Sequence, residues 1–452
     1  MIARTNPTYD KIQAVQYNSE ITKVHLNKSM AFLKAGDINM EKHRDELFQE
    51  RIKRIQDAVE LKCPDRVPFT PFLTFFPVKY SGLGFEEAMH DYGRLSSAVK
   101  KFMMDFQPDA FPDTFRILAW APTLEILDYK QLVWPGHGGK SEVTYQFVEG
   151  EYMKVEEYDA FLEDPSDFLL RCFSTRAWGA LQPLQRLHPL SWAWYTRMPS
   201  YVSVFGRPEV ARALESLIKA GQEAQRMITA ASDLTREMES LGFPRQFVSS
   251  TYAPFDYIGD FFRGTRGIML DMYRNPDKLL AAIDKVLPSL IEQAISVSRT
   301  PGVNRVFIPL HKGLDSFMSP AQFKTFYWPS LKKLMLACID AGFTPNPLFE
   351  GDCTSRLETI RDIPRGKAVY WFERTDLFKA KEVLGDTVCI EGGVPSSLMI
   401  GGTPEQVRAY CLRLIDVVGK GGGFIFNGDV GIPDEARIEN VRAIVDTVKQ
   451  FR

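Results

Sequence analysis

Six apolar runs in this 452-residue chain each end in residues able to do acid–base or metal chemistry. Ile308-Pro309-Leu310 stops at His311-Lys312, with Asp315 close behind. Pro347-Leu348-Phe349 stops at Glu350-Gly351-Asp352-Cys353, and Tyr370-Trp371-Phe372 at Glu373-Arg374 and then Asp376. Val388-Cys389-Ile390 runs into Glu391, Ile425-Phe426-Asn427 into Gly428-Asp429, and the run that starts at Asp109 into Asp113. That many carboxylates in one place need a balancing cation, from His311, Lys312, Arg374 or a metal. His, Glu, Asp and Cys on separate strands suit zinc, and an open coordination position would make such a site catalytic.

Not every residue in this set has to do chemistry. Cys389 lies two residues before the end of its run and also suits an ordinary buried small side chain. Glu373 and Asp376 equally suit the start of the next helix, where acids are favoured. His311 divides evenly between ligand and hydrogen-bonded structural residue. Glu350 and Asp429 follow apolar strands directly, where a structural carboxylate requires a partner.

A set of strand ends acts together only if the fold brings them together. From residue 66 onward, short apolar runs alternate with long amphipathic stretches. Strands are predicted at 66–74, 109–115, 246–252, 305–310, 344–349, 368–372, 388–391 and 423–427. Helices are predicted at 86–106, 208–241, 320–341, 377–384, 404–418 and 435–451. Strand–helix alternation implies parallel pairing with right-handed crossovers. No Gly-x-Gly-x-x-Gly turn follows the first strand, and Gly421-Gly422-Gly423 precedes a strand rather than a helix. The pattern therefore favours a closed (β/α)8 barrel, with its chemistry at the C-terminal ends of the strands, over an open dinucleotide-binding sheet. Residues 1–60 form an expected helical extension, packed beside a barrel of residues 61–452 or serving as a dimerisation arm. Near-alternating Val143, Tyr145 and Phe147, then Tyr152 and Val155, predict a β-hairpin insertion over 141–157. The loop around His137 is a candidate lid.

Composition narrows the function classes. Hydrophobic residues make up 45% and charged residues 25%, as in a globular protein with a sizeable core. With 55 basic against 57 acidic residues, the net charge of -2 leaves no surplus to neutralise phosphates, so nucleic acid is not expected as a partner. No apolar run is long enough to span a bilayer. Residues 1–23 lack the apolar core of a signal peptide, and the six cysteines are scattered without a CxxC pair. A cytoplasmic location is expected.

The residues from 383 onward carry a resemblance. Val383-Leu384-Gly385-Asp386, Cys389-Ile390-Glu391-Gly392-Gly393-Val394-Pro395 and Gly402-Thr403-Pro404-Glu405-Gln406-Val407 form its strongest part. It continues through Gly422-Gly423-Phe424-Ile425, Ile432-Pro433 and Glu439-Asn440-Val441-Arg442-Ala443. This stretch resembles the last two strand–helix units of the uroporphyrinogen decarboxylase superfamily, and the likeness extends over roughly residues 57–452. The acidic stretch Glu156-Glu157-Tyr158-Asp159 with Asp164-Pro165 resembles an insertion of its corrinoid-linked members. The resemblance implies a (β/α)8 barrel, in agreement with the periodicity.

Departures from the superfamily's motifs narrow the reaction. The decarboxylases carry a Met-Arg-Gln-Ala-Gly-Arg-type motif that binds substrate carboxylates. Here the region reads Phe75-Phe76-Pro77-Val78-Lys79-Tyr80-Ser81-Gly82, without either arginine. Asp113 matches the family's substrate-binding Asp, and the decarboxylases' C-terminal histidine falls at Val430. A tetrapyrrole bearing many carboxylates would lack its clamp. The thiol-methylating members bind zinc through His-x-Cys and a later Cys, positions that read Leu348, Glu350 and Val430 here. What remains resembles the cobalamin-dependent methyltransferases that demethylate aromatic methyl ethers.

The resemblance then implies zinc held by His311 and Glu350, with Asp429 and Cys389 as further candidate ligands. Glu350, Asp429 and Asp113 are the candidate catalytic residues, and Phe76, Tyr80, Tyr252 and Trp371 the candidate substrate contacts. Cobalamin would arrive on a separate corrinoid protein, because the chain has no Asp-x-His-x-x-Gly signature. A homodimer is a further possibility of the family. The competing readings are a decarboxylase of a smaller acid, a methyltransferase acting from the methylated corrinoid onto another acceptor, and a non-catalytic binding protein on an old barrel.

Overall fold

A computed structural model of the chain describes residues 44–112, 115–298 and 302–451. Among the described residues, nine strands fall into two sheets. The smaller sheet joins β1 (Leu132–Pro135), β2 (Gly138–Gly139) and β3 (Gln146–Phe147). The larger is all parallel and runs in chain order through β4 (Ser249–Ser250), β5 (Arg305–Leu310), β6 (Thr344–Phe349), β7 (Val369–Phe372), β8 (Cys389–Val394) and β9 (Phe424–Gly428). Every residue of β6, β7, β8 and β9 is buried, as expected of parallel strands covered on both faces.

Two further segments close the sheet. Phe69 bridges Phe426 in parallel, and the Phe426 and Thr70 amides bond to Pro68 and Phe426 carbonyls at 2.8 and 3.0 Å. The Asp109 amide donates to the Phe69 carbonyl at 2.8 Å, and Phe111 bridges Arg245 just before β4. The segments at 68–73 and 109–111 thus complete an eight-membered ring with the six strands: a (β/α)8 barrel, as the periodicity predicts.

Local sequence explains an irregularity in that ring. The Thr344 amide points to Asn304 on the β5 side, so the positions of Pro345 and Pro347 face β7. Proline has no N–H to give, and the β6–β7 ladder begins only at Leu348 with Trp371. The Asn346 side chain reaches the Val369 carbonyl at 3.3 Å and fills part of the gap.

The helix over residues 44–59 packs under the barrel. Ile55, Ala58 and Val59 form one buried cluster with Ala110, Val369, Cys389 and Ile425, all near strand starts. This corrects the expectation of an extension lying beside the barrel: the helix plugs its N-terminal end. Its apolar face is thereby used within the chain. Residues 1–43 lie outside the described residues.

A buried ion cluster fastens the plug. Asp109 accepts from Arg54 at 2.7 Å, from both terminal nitrogens of Arg66 at 2.7 Å, and from the Phe69 amide at 2.8 Å. Arg54 also grips Asp65 through two bonds of 2.8 and 2.6 Å.

The hairpin lies elsewhere than predicted. β3 pairs antiparallel with β1, Leu132 opposite Phe147, whereas Val155–Glu157 is a short 3₁₀ turn. The Tyr152 and Met153 amides are both taken by the Phe262 carbonyl at 2.8 Å, and Arg176 binds the Tyr152 carbonyl and both Glu157 oxygens. With those groups committed, the second predicted strand has no ladder to join. The insertion continues as short helices to residue 207. The chain then returns through a 33-residue helix, Pro208–Ser240, where helix is predicted over 208–241. No helix among the described residues is long and apolar enough to cross a membrane.

Replacing Asp109 by Asn should leave Arg66 without its buried carboxylate partner and Arg54 with Asp65 alone. A loss of about 3–5 kcal/mol is expected from breaking a buried pair on one side, read as a lower urea midpoint at unchanged slope.

Candidate functional site

β5 ends at Leu310, and the next two residues turn across the barrel mouth under the control of one buried carboxylate. Asp256 accepts the His311 amide at 2.8 Å, the Lys312 amide at 3.1 Å and the Tyr327 hydroxyl at 2.6 Å. Burial, and then the charge of Asp260, push its carboxyl above the usual range. The three donors are the compensation such burial requires.

One turn further on, Asp260 addresses the side chains of the same pair. His311 Nδ1–H donates to Asp260 Oδ2 at 2.5 Å, and Lys312 Nζ pairs with Oδ1. Burial would raise the Asp260 carboxyl, but His311 and Lys312 hold it below its ordinary value. Asp260 sits in the π-helical turn Ile258–Arg263, a distortion that recurs at functional sites. The wider turn lets Asp256 reach the backbone and Asp260 the side chains of one dipeptide. Gly259 lies between them. A Cβ there would stand 2.9 Å from Lys312 Cδ and Cε, so any larger residue would have to displace the Lys312 side chain.

The other face of His311 opens to the mouth. Its Nε2 lies 3.5 Å from Glu350 Oε1, and its side chain is 31% exposed. Burial alone would lower the imidazole pKa. The Asp260 hydrogen bond, followed by Glu350 and the Asp256 charge, overrides it and raises it from 6.5 to about 11. His311 is therefore a cation at neutral pH, with one N–H spent on Asp260 and the other facing Glu350.

Aromatic rings surround this acid. Tyr252 meets the His311 ring edge-on at 6.0 Å. Tyr145, brought over by the insertion, packs on Trp120 at 5.4 Å and Phe75 at 6.5 Å. Its phenol is raised by burial and by the charges of Asp434 and Glu350. Inside the barrel, Phe72 stacks on Phe307 at 5.5 Å and meets Trp371 edge-on at 5.5 Å, with Phe247 5.1 Å from Phe307.

The structure therefore gathers part of the predicted set. His311 and Glu350 meet, Tyr252 lies against His311, and Trp371 lines the interior with its indole N–H on the Gly428 carbonyl at 3.2 Å. Phe76 and Tyr80 do not join them. Their rings stack on each other and meet Phe102 and Phe106 edge-on, and Tyr80 donates to Asp105 at 2.7 Å. They stand on the short helix Phe76–Ser81, whose apolar face is spent on the helix Tyr92–Phe106.

Three further expectations are corrected. Cys389 is the first residue of β8 and belongs to the cluster at the opposite, plugged end of the barrel. Asp429 is committed to the neighbouring loop, accepting the Ser396 amide at 2.6 Å, the Ser396 hydroxyl at 2.5 Å and the Val430 amide at 2.7 Å. His137 closes a tight turn, exchanging backbone bonds with Trp134 and stacking on its ring at 4.2 Å, so it is a pinned corner rather than a free flap. Asp376 is a helix cap, accepting from Phe378 and Lys379. Asp113 lies outside the described residues.

This arrangement bears on zinc. A catalytic zinc takes three protein ligands, and among the described residues no three His, Cys, Asp or Glu side chains come together to hold a metal ion. Of the expected ligands only His311 and Glu350 meet, and His311 Nδ1 is already committed to Asp260. Among the described residues this pair falls short of the three protein ligands of a catalytic zinc.

Asp256, Asp260 and Tyr145 escape the sequence pattern of polar residues at strand ends. Asp256 and Asp260 lie in the helix after β4. Their spacing of four in Asp256-Tyr257-Ile258-Gly259-Asp260 was the available signal, but it reads as an ordinary helical face.

Residues 203–451 match the uroporphyrinogen decarboxylase (URO-D) family. The uroporphyrinogen decarboxylase of Chlorobium luteolum is 26% identical over 184 residues, 40% of this chain and 51% of the relative. That of Psychromonas ingrahamii is 25% identical over 235 residues, 51% of this chain and 65% of the relative. The chain thus spans about half to two thirds of the length of these curated relatives. Among solved structures, a methyltransferase from Methanosarcina mazei has a TM-score of 0.59 over 88% of this chain and 98% of its own, at 15% identity, a likeness of fold.

Two substitutions test the arrangement. The His311 pKa is raised, so its stabilising contribution is complete below pH 6.5 and is lost as pH rises toward about 11. Asp260→Asn should move that loss to lower pH, visible as an earlier titration of the His311 ring protons by NMR. Gly259→Ala should push Lys312 off Asp260 and lower turnover by roughly 100-fold, while the far-UV spectrum stays unchanged.

Proposed function

The chain belongs to the uroporphyrinogen decarboxylase family, and we propose that within it the protein is a methyltransferase that removes the methyl group of a methyl ether, with methoxylated aromatics as the substrate class. The methyl acceptor is Co(I) cobalamin carried by a separate corrinoid protein, which supplies the nucleophile when it docks. The observation that carries this reading is His311, an imidazolium oriented by Asp260 and opening beside Glu350 into an aromatic-lined barrel mouth.

The chain's own task follows from the leaving group. When the carbon–oxygen bond of an aryl methyl ether breaks, the oxygen departs with the electron pair as a phenolate. Charge developing on that oxygen in a water-poor cavity is costly, and a positioned donor lowers the cost. His311 Nε2–H donates its proton to the departing oxygen, and the product leaves as a phenol. Asp260 and Lys312 fix the ring, Glu350 orients the N–H, and His311 regains its proton from solvent after the phenol leaves. Phe72, Phe307 and Trp371 offer faces and edges to the aryl ring. Absence of both motif arginines over residues 75–82 weighs against a tetrapyrrole with many carboxylates.

The same acid suits one other reaction. The curated relatives are decarboxylases, and an imidazolium can protonate the carbanion left when a small acid loses carbon dioxide. The two readings separate in one assay. Methoxylated aromatics incubated with Co(I) cobalamin should yield phenol and methylated corrinoid without carbon dioxide. His311→Gln should lower that rate by about 100- to 10,000-fold with the fold retained. Carbon dioxide release from small acids, without any corrinoid requirement, would replace this reading. Metal analysis of wild-type and Glu350→Gln protein completes the test: a zinc bound by the first and lost from the second would put Lewis-acid assistance in place of the proton donor.

A further inference from the structure

The insertion carries a surface whose composition differs from the rest of the chain. Between Asp167 and Glu209 there is no Asp, Glu or Lys, yet there are five arginines. Within this stretch Leu190, Trp192, Trp194, Tyr195, Met198 and Val202 are all exposed, Tyr195 to 86% and Leu190 to 74%. They are held in place. The Trp192 amide bonds to Pro189 at 3.0 Å, Arg197 to Trp194 at 2.8 Å and Tyr201 to Arg197 at 2.9 Å, and the Trp192 ring stacks on His188 at 5.1 Å.

A separate core supports the surface. Leu181, Leu184, Leu187 and Val204 pack with Val210 and Ala213 on the long helix Pro208–Ser240. The far end of that helix lies at the plugged end of the barrel, where Arg51 bonds to the Gly242 carbonyl at 2.6 Å. Its 33 residues span roughly 50 Å, whereas a six-residue strand such as β5 spans about 20 Å. The start of the helix, with the aromatic surface on it, therefore projects beyond the barrel on the side where the strands end at His311 and Glu350.

Ordered Trp, Tyr, Met and Arg, with Asp, Glu and Lys absent, is the composition of a protein-interface core rather than of a free surface. The charges choose the partner. Arg171 and Arg176 are engaged by Asp167 and Glu157, and Arg186 lies 3.8 Å from Glu209. Arg197 and Arg207 make no ion pair among the described residues. Two copies meeting through this face would set arginines against arginines, whereas a partner with an acidic rim would neutralise them. We infer that the surface from Leu190 to Val202 docks the acidic face of the protein that carries the methyl-accepting corrinoid, holding it over the barrel mouth; the identity of the partner rests on the function proposed above.

The test uses the full chain and the purified corrinoid protein of the same organism, with binding measured by calorimetry and turnover measured separately with that protein and with free Co(I) cobalamin. The variants are Trp192→Ser combined with Trp194→Ser and Tyr195→Ser, and Arg197→Glu alone. Each should weaken binding of the corrinoid protein by about tenfold or more, with turnover on free cobalamin unchanged. The Arg197→Glu effect should shrink at high salt. Equal binding by wild type and variants, or no binding by wild type, would overturn the inference. So would a wild-type dimer that the triple variant turns into a monomer in sedimentation, or binding to phosphatidylserine-containing vesicles that only the variants lose. Wild type that binds the corrinoid protein but turns over no methyl ether would leave the docking surface standing and remove the proposed reaction.

Discussion

One carboxylate at the centre of the barrel has to be satisfied from four directions. Glu391 is fully buried in β8. It accepts from Asn427 of β9 at 2.8 Å, from Asn346 of β6 at 3.0 Å and from Thr70 of the closing segment at 3.3 Å. Burial raises its carboxyl, and the charge of Arg305 in β5 opposes that rise. A buried acid with these partners is stable only when all of the strands that supply them stand in register. The barrel's closure and its interior thus specify each other. With β5 and β6 aligned from Arg305 opposite Thr344 to Leu310 opposite Phe349, their next residues, His311 and Glu350, must emerge side by side.

From end to end, the barrel changes its chemistry. At the N-terminal end lies the apolar plug fastened by Asp109. Above it, Glu391 and its amide partners share the interior with Phe72, Phe307 and Trp371. At the mouth, His311 and Lys312 stand among Asp256, Asp260 and Glu350. The order has an electrostatic reason. His311 and Glu350 at the mouth keep partial contact with water, whereas Asp256 below them and the charge in the middle have to be matched within the protein. The same His311 that stabilises its two neighbouring carboxylates is the group with a free direction toward solvent.

The insertion adds what the barrel lacks. The family match begins at residue 203, after the segment that brings Tyr145 toward Glu350 and builds the second core. This core is small, but the long helix belongs to both it and the barrel, so the two parts share one rigid support. In a barrel enzyme, loops at the strand ends decide the substrate, while the strands decide the stability.

The barrel was legible in the chain's own periodicity. Apolar runs such as Val306-Phe307-Ile308 and the amphipathic helices between them have periods that physical chemistry reads directly, and the polar residues at strand ends placed His311 and Glu350 at one face. What only the tertiary structure decided was which polar residues share a site. Asp429 and Cys389 fit the one-dimensional pattern as well as Glu350 does, but Ser396 captures the first and the plug covers the second. Asp256 and Asp260 look like a plain helix face until a π turn aims both at one dipeptide. Phe76 and Tyr80 look like pocket residues until Phe102 and Phe106 claim their rings. Periodicity is a local property, set by backbone geometry a few residues at a time. The partner of a carboxylate or a ring is chosen by whatever folds next to it, across tens or hundreds of residues, and no local pattern records that choice.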